Sequence, residues 1–135
     1  MDASNTQTVE ELIDFFSSQL LISPYDVKAL TLRGMLLESQ SRYTLAIADF
    51  NTLIDTGEKK GYYLRAYSYC RIGKIDLALK DFGKLDIQGI QITAILPTIA
   101  YIAKKRNEII KEIEAEYLRK KLIEKYNNLN FILPN

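Results

Sequence analysis

The chain predicts an all-α fold: a helical-hairpin solenoid of about six to seven antiparallel helices in a right-handed stack. Two observations predict it. The first is an internal repeat at a shift of 32 residues. Arg33-Gly34 is echoed by Arg65-Ala66, and Ala46-Ile47-Ala48-Asp49-Phe50 by Ala78-Leu79-Lys80-Asp81-Phe82. Tyr43 and Leu45 fall opposite Ile75 and Leu77 at the same shift. Repeats of this length mark supersecondary units that bury their apolar faces only by stacking on one another. The second observation is spacing. Within each candidate helix the apolar residues recur at steps of three and four, which gathers them on one face. Such a stack presents surfaces, so the sequence speaks to binding more than to catalysis.

Taken in order, residues 1–7 are polar and without periodicity and read as a disordered start. Residues 8–22 read as the first helix. Gln7 or Thr8 opens it, Glu10 and Glu11 complement its dipole, and Leu12, Phe15, Phe16 and Leu20 form its apolar face. Ser23-Pro24 ends it, and Asp26 is a good N-cap for the next helix. Residues 26–57 form the first repeat. Leu30, Arg33-Gly34 and Leu37 lie on its first helix, Ser39-Gln40-Ser41 is a turn, and Tyr43, Ala46, Ile47, Phe50, Leu53 and Ile54 lie on its second, closed by Gly57. Residues 58–89 repeat the scheme with Tyr62, Ala66 and Tyr69, a turn at Gly73, then Ile75, Ala78, Leu79, Phe82 and Leu85. Gly83 is expected inside that second helix.

Residues 90–128 depart from the pattern and read as a degenerate repeat or capping helix pair. Residues 90–103 are almost continuously apolar, as in a helix buried on most sides, with Pro97 kinking it or marking its true start. Asn107 would cap a last helix at about 108–127, with Ile109, Ile110, Ile113, Tyr117, Leu118, Leu122 and Tyr126 as its apolar stripe and Asn127-Asn128 as its stop. Residues 129–135 form an apolar tail, expected to leave the helix and to pack on the 90–103 helix or in a groove of the stack.

Bulk properties narrow the function classes. The 135 residues suffice for a single domain with a real core, and 47% apolar with 26% charged residues is ordinary for a globular protein. A net charge of +1 gives no general pull toward nucleic acid or a membrane surface. The one cysteine, Cys70, allows no internal disulfide and suits a reducing, cytoplasmic setting. Histidine is absent, which removes the commonest general base and zinc ligand together. The first residues carry no basic signal-peptide region, and no apolar run approaches the roughly 18 residues of a membrane span. Charge is uneven: residues 1–26 contain Asp2, Glu10, Glu11, Asp14 and Asp26 and no Lys or Arg, whereas the C-terminal half is net basic. This reads either as solvated helix faces or as a field that orients a partner or a second copy.

These residues resemble the tetratricopeptide-repeat family. Its pattern asks for an aromatic or large residue, then Leu-Gly, then Tyr on the first helix, Ala and Phe on the second, and Pro in the linker; here Arg-Gly and Arg-Ala stand in place of Leu-Gly. The first match reads Leu30, Arg33-Gly34, Leu37, Ala46 and Phe50; the second reads Tyr62, Arg65-Ala66, Tyr69, Ala78 and Phe82. Pro24 takes the linker place. The pattern implies close helix packing, with Gly34 facing Ala46 and Ala66 facing Ala78, and Phe50 and Phe82 filling the space between hairpins.

No catalytic constellation is visible. There is no glycine-rich phosphate loop and no cysteine pair for metal, so neither enzyme activity nor a cofactor is expected. Glu112, Glu114 and Glu116 read as solvated surface, and Cys70 as a half-buried inert thiol. Lys104-Lys105-Arg106 reads as a match to a helix C-terminal dipole rather than a phosphate contact. The candidate site is a second stripe, which the resemblance places on an inner, concave groove. It consists of Lys28, Thr31, Met35 and Glu38 on the first repeat and Lys60, Tyr63, Tyr67 and Arg71 on the second. Amphipathic aromatics, a flexible Met and a few cations suit a protein or peptide partner. Alternatively, these residues cover the third helix pair or the tail. Thr31, Met35, Tyr63 and Tyr67 stand where a chaperone-tail clamp would want Lys and Asn, which disfavours that sub-type. The expected function is non-catalytic protein–protein interaction. The alternatives are a small chaperone or adaptor for one client, as in secretion, and a self-assembling unit joined through charged ends or the C-terminal tail.

Overall fold

A computed structural model describes residues 3–84 and 92–132, with side chains placed at 7–84, 104 and 106–125. Six helices make up these residues: α1 (Ala3–Ile22), α2 (Val27–Ser39), α3 (Tyr43–Asp55), α4 (Lys60–Arg71), α5 (Ile75–Gly83) and α6 (Ile92–Ile132). The first five pack in succession, each antiparallel to the last, as an all-α hairpin solenoid.

Local chemistry sets the hairpins. The Asp26 carboxylate accepts from the Ala29 backbone N–H at 2.8 Å and caps α2. The two repeat turns then use one device. Gly73 sits at φ +81°, and the Lys74 N–H reaches back to the Tyr69 carbonyl at 2.8 Å. The equivalent residue in the first repeat is Ser41, at φ +59°, with the Arg42 N–H bonded to the Leu37 carbonyl at 2.9 Å. Both are left-handed caps that satisfy the last helix carbonyls. Only the second has the residue that adopts this conformation without strain.

The core follows the repeat. Ala46, Phe50, Ala66 and Ala78 are fully buried, and Phe82 nearly so. One correction concerns the close approach. A Cβ at Gly34 would meet the Phe50 ring, with Cζ 2.9 Å away, so Gly34 abuts Phe50 rather than Ala46. Gly61 is a second close approach: its Cβ would lie 2.7 Å from Ile54 Cγ1 and 3.2 Å from the Phe50 carbonyl oxygen. Two glycines thus let α2 and α4 each approach α3 closely.

The repeat also carries an ion pair. Arg33 Nε and Nη2 donate to the Asp49 carboxylate at 2.9 and 2.6 Å; Arg65 and Asp81 reproduce both distances. Each aspartate is buried and each arginine half-buried. The hydrogen bonds to the carboxylates hold both guanidinium pKa values above their ordinary range. This two-point fork fixes the rotation of the second helix of a hairpin against the first.

The ends differ from the sequence expectation. Helix α1 begins at Ala3, so residues 3–7 are helical rather than a disordered start. The 90–128 region is not a helix pair. Helix α6 is continuous for 41 residues, roughly 60 Å. It starts before Pro97, runs through Asn107 and continues past Asn127-Asn128 to Ile132, so residues 129–132 are its last turn and not a tail that leaves the helix. The reason is propensity. The stretch contains no glycine, each Asn in it costs only a fraction of a kcal/mol, below about 0.7, and Pro97 is its sixth residue, near the start, where it removes a single intrahelical bond. Gly83 belongs to α5, as its last residue, and Leu85 lies outside the described residues. The packing of the 90–103 side chains and of Leu133–Asn135 lies outside the described residues.

Candidate functional site

Helices α2 and α4 are the first helices of the two repeats, and they touch each other as well as their hairpin partners. Together with α1 they form a face, and α6 lies across it. Helix α6 contacts α1, α2 and α4; among the described residues it makes no contact with α5, its neighbour in the chain. It crosses from α4 toward α1 as its residue numbers rise. Arg106 meets α2 and α4, Ile110 enters the main core cluster, Ile113 and Tyr117 pack against that cluster, and Tyr117 and Lys121 reach Glu11 of α1.

The polar centre of this contact is buried. Glu38 is 1% exposed. Its Oε2 accepts from the Ser68 hydroxyl at 2.6 Å and its Oε1 from Arg106 Nη1 at 3.3 Å. The Arg106 guanidinium also lies 5.2 Å from the centre of the Tyr67 ring and donates to the side chain of Asn107. One carboxylate of α2, a hydroxyl and an aromatic face of α4 thus form a socket for one arginine. Burial pushes the Glu38 carboxyl up to about 7, against the pull of the Ser68 hydroxyl and the Arg106 cation. The cause is geometric. At 3.3 Å the arginine is beyond the 2.7–2.9 Å of a tight charge-assisted bond, so desolvation outweighs attraction.

A second polar contact closes the α1 end. Glu11 accepts from Tyr117 Oη at 2.8 Å and from Lys121 Nζ at 2.9 Å. These bonds hold the Glu11 carboxyl below its ordinary pKa. Beside it, a cleft of about 670 Å³ opens between α1, the start of α2 and the second half of α6. Leu12, Phe15, Phe16, Leu32, Ile113 and Tyr117 give it apolar walls, and Lys28, Lys120, Lys121 and Glu124 charge its rim.

The proposed groove residues fall into three places. Met35 and Tyr67 occupy equivalent repeat positions, and each is 4% exposed. Tyr63 is half-buried and packs against both core clusters. Thr31 is half-buried, its hydroxyl donating to the Val27 carbonyl at 2.7 Å. Lys28 lines the cleft, Lys60 is exposed, and Arg71 is exposed with its Nε donating to Tyr43 Oη at 3.0 Å. The stripe is therefore one continuous face only at its centre. There the alternative reading of the sequence describes it: the face is covered by the chain's own C-terminal helix.

Sequence reasoning missed Ser68 and misjudged Arg106, which lies in mid-helix and buried, not at a helix C-terminus. One signal was available. Glu38 stands in register with Met35 on a face flanked by Leu36 and Leu37, and a carboxylate there needs a cation from elsewhere in the chain. Nothing in the sequence selects Arg106 among the eight basic residues that follow position 86.

Burial raises the Cys70 thiol, which keeps it protonated and unreactive as a nucleophile. Among the described residues no three His, Cys, Asp or Glu side chains come together as a metal site, and no helix is long and apolar enough to cross a membrane. Comparison with protein-family models, curated proteins and solved structures finds no match to the chain.

Proposed function

We propose that this chain is a non-catalytic protein–protein interaction module of the tetratricopeptide-repeat type, which takes a helical segment of a partner on its α1–α2–α4 face. The observation that carries this reading is α6 itself. The face already accepts an amphipathic helix, with apolar contacts along Ile110, Ile113 and Tyr117 and polar anchors at either end. That is the helix-in-groove mode of recognition, read out by anchors three and four residues apart. The repeat-derived residues Met35 and Tyr67 belong to this face, and the exposed Lys28 and Lys60 stand beside it as rim contacts for the partner.

Photo-crosslinking tests the reading. A photoreactive residue replacing Lys28 or Lys60 is compared with one replacing Leu45, which is 50% exposed on α3 away from this face. In extract of the source organism, adducts from the Lys28 and Lys60 positions and not from Leu45 are expected. Adducts no stronger than those from Leu45 would refute the reading.

A second reading, self-association, has its own observation. Leu118, Leu122 and Ile123 on the second half of α6 are 47%, 67% and 49% exposed, and Leu21 and Ile22 at the end of α1, with Tyr25 after it, are 70–86% exposed. Apolar exposure of this density marks interaction surfaces. Light scattering decides: a dimer that Leu118→Glu with Leu122→Glu converts to monomer supports self-association, and a wild-type monomer at high concentration removes it.

A further inference from the structure

We propose that α6 is a displaceable internal occupant of the α1–α2–α4 face, and that the external ligand of that face is an amphipathic helix presenting an arginine to Glu38, Ser68 and Tyr67. The inference deepens the reading above and rests on it.

Charge complementarity identifies the occupant. Glu38 is among the most deeply buried of the described side chains, and the Tyr67 ring lies against the guanidinium that reaches it. A buried carboxylate is tolerated only when a cation and hydrogen bonds reach it. Ser68 supplies one neutral bond from the stack itself; the cation comes from α6. The stack alone therefore has an unfilled demand for one positive charge at a fixed depth. The Tyr67 ring beside it favours a planar guanidinium over an ammonium, because a guanidinium stacks on an aromatic face while its edge donates to the carboxylate.

Three features make α6 a replaceable answer to that demand. Among the described residues its contacts are with α1, α2 and α4 and not with α5, so its attachment there runs through this face. Among its described side chains only Arg106 and Ile110 are buried, whereas α1 buries Val9, Leu12, Ile13, Phe16 and Leu20. Beyond Tyr117 its apolar packing on the face stops: the cleft opens on one side, Leu118 and Leu122 are exposed, and Lys121 reaches Glu11 by a polar contact alone. A partner helix with an arginine and apolar residues four and seven positions later, as in Arg106, Ile110 and Ile113, satisfies the same anchors.

The test uses the full chain and two labelled probes: the peptide of residues 99–125, and the same peptide carrying Arg106→Ala. Binding is measured to wild type, to the Arg106→Ala protein and to the Glu38→Gln/Arg106→Ala protein. The arginine peptide is expected to bind the Arg106→Ala protein about tenfold more tightly than wild type, whose own helix competes, and about tenfold more tightly than the alanine peptide does. Glu38→Gln is expected to abolish most of that preference. Equal binding of the two peptides would overturn the arginine socket while leaving the helix-binding reading standing. Binding of neither would overturn both. Hydrogen exchange on wild type decides independently of how the variants fold. Saturation with the arginine peptide is expected to speed exchange at residues 106–121 and to leave 46–53 unchanged. Unchanged exchange at 106–121 would show α6 to be a fixed part of the core and end the proposal.

Discussion

Replacing Glu38 by Gln should remove a pH dependence of stability whose sign is opposite to ordinary acid denaturation. The Glu38 carboxyl stands near 7 in the folded chain against 4.5 for the free group. A group raised on folding stabilises fully below its unfolded pKa, and that stabilisation is lost as pH rises through the folded value. Near pH 8 Glu38 is ionised in both states and contributes almost nothing. Near pH 5.5 the unfolded chain is still ionised while the folded chain holds the proton, a gap of about 1.5 pH units or about 2 kcal/mol. The groups facing this carboxyl are Arg106 from α6 and Ser68 from α4. Glu11 works in the opposite direction, since its lowered pKa gives stability that is lost as pH falls through the acid range. The measurement is therefore the difference between wild type and Glu38→Gln in urea unfolding, at about pH 8 and about pH 5.5. Wild type should gain about 2 kcal/mol relative to the variant on going to the lower pH. Parallel profiles would show that Glu38 is not desolvated in solution, and with that the buried socket would fall.

The remaining predictions test the repeat. Gly34→Ala should destabilise by roughly 1–2 kcal/mol despite the better helix propensity, because the new methyl runs into the buried Phe50 ring; a gain in urea midpoint would refute the close approach. Ser41→Gly should stabilise by about 0.5–1 kcal/mol, since the second repeat already has Gly73 at this left-handed position; a loss would mean that Ser41 does more than turn the chain. Asp81→Asn should cost about 1–3 kcal/mol by breaking the fork to Arg65, and Asp49→Asn a similar amount, with double-mutant cycles giving matching couplings in the two repeats. Additive cycles would reduce both pairs to surface decoration.

The stack was legible because its information is local. Apolar spacing, Asp26 as a cap and Gly57 and Gly73 as stops each act within a few residues, and the 32-residue echo multiplies the signal. The aspartate–arginine fork was present in the same echo, as Arg33 with Asp49 and Arg65 with Asp81, but a charge on a repeat helix reads as solvated until its partner is placed. The close contact at Gly34 was legible as a contact and not as to its partner, since Ala46 and Phe50 lie about one helical turn apart on α3 and only backbone geometry chooses between them. The continuity of α6 was obscured by Pro97, Asn107 and Asn127-Asn128. The asparagines are weak stops, Pro97 falls near the helix start, and none stands beside a left-handed residue of the kind that ends α2, α3 and α4. The socket was the least legible feature, because Glu38 and Arg106 are 68 positions apart and no spacing rule spans that distance.

A stack of two hairpins explains why such a socket exists. In a long solenoid each repeat shields its neighbours, and the face made by the first helices can be left open for a ligand. Here α2 and α4 are the whole of that face, and at this size the apolar area between hairpins leaves little margin. Arg106 of α6 covers the Tyr67 ring, and on the proposed reading α6 thereby occupies the surface a partner would use. A purely apolar cover would bind indiscriminately and be difficult to remove. Placing a carboxylate at Glu38 changes both properties. It makes the cover conditional on one arginine in one register, since an unpaired charge at that depth is penalised far more than a mismatched methylene. It also ties the cover to protonation near neutrality, because the same burial that enforces the register raises the carboxyl to about 7. On the proposed reading, selectivity and reversibility at this face would share a single physical origin, the desolvation of one glutamate.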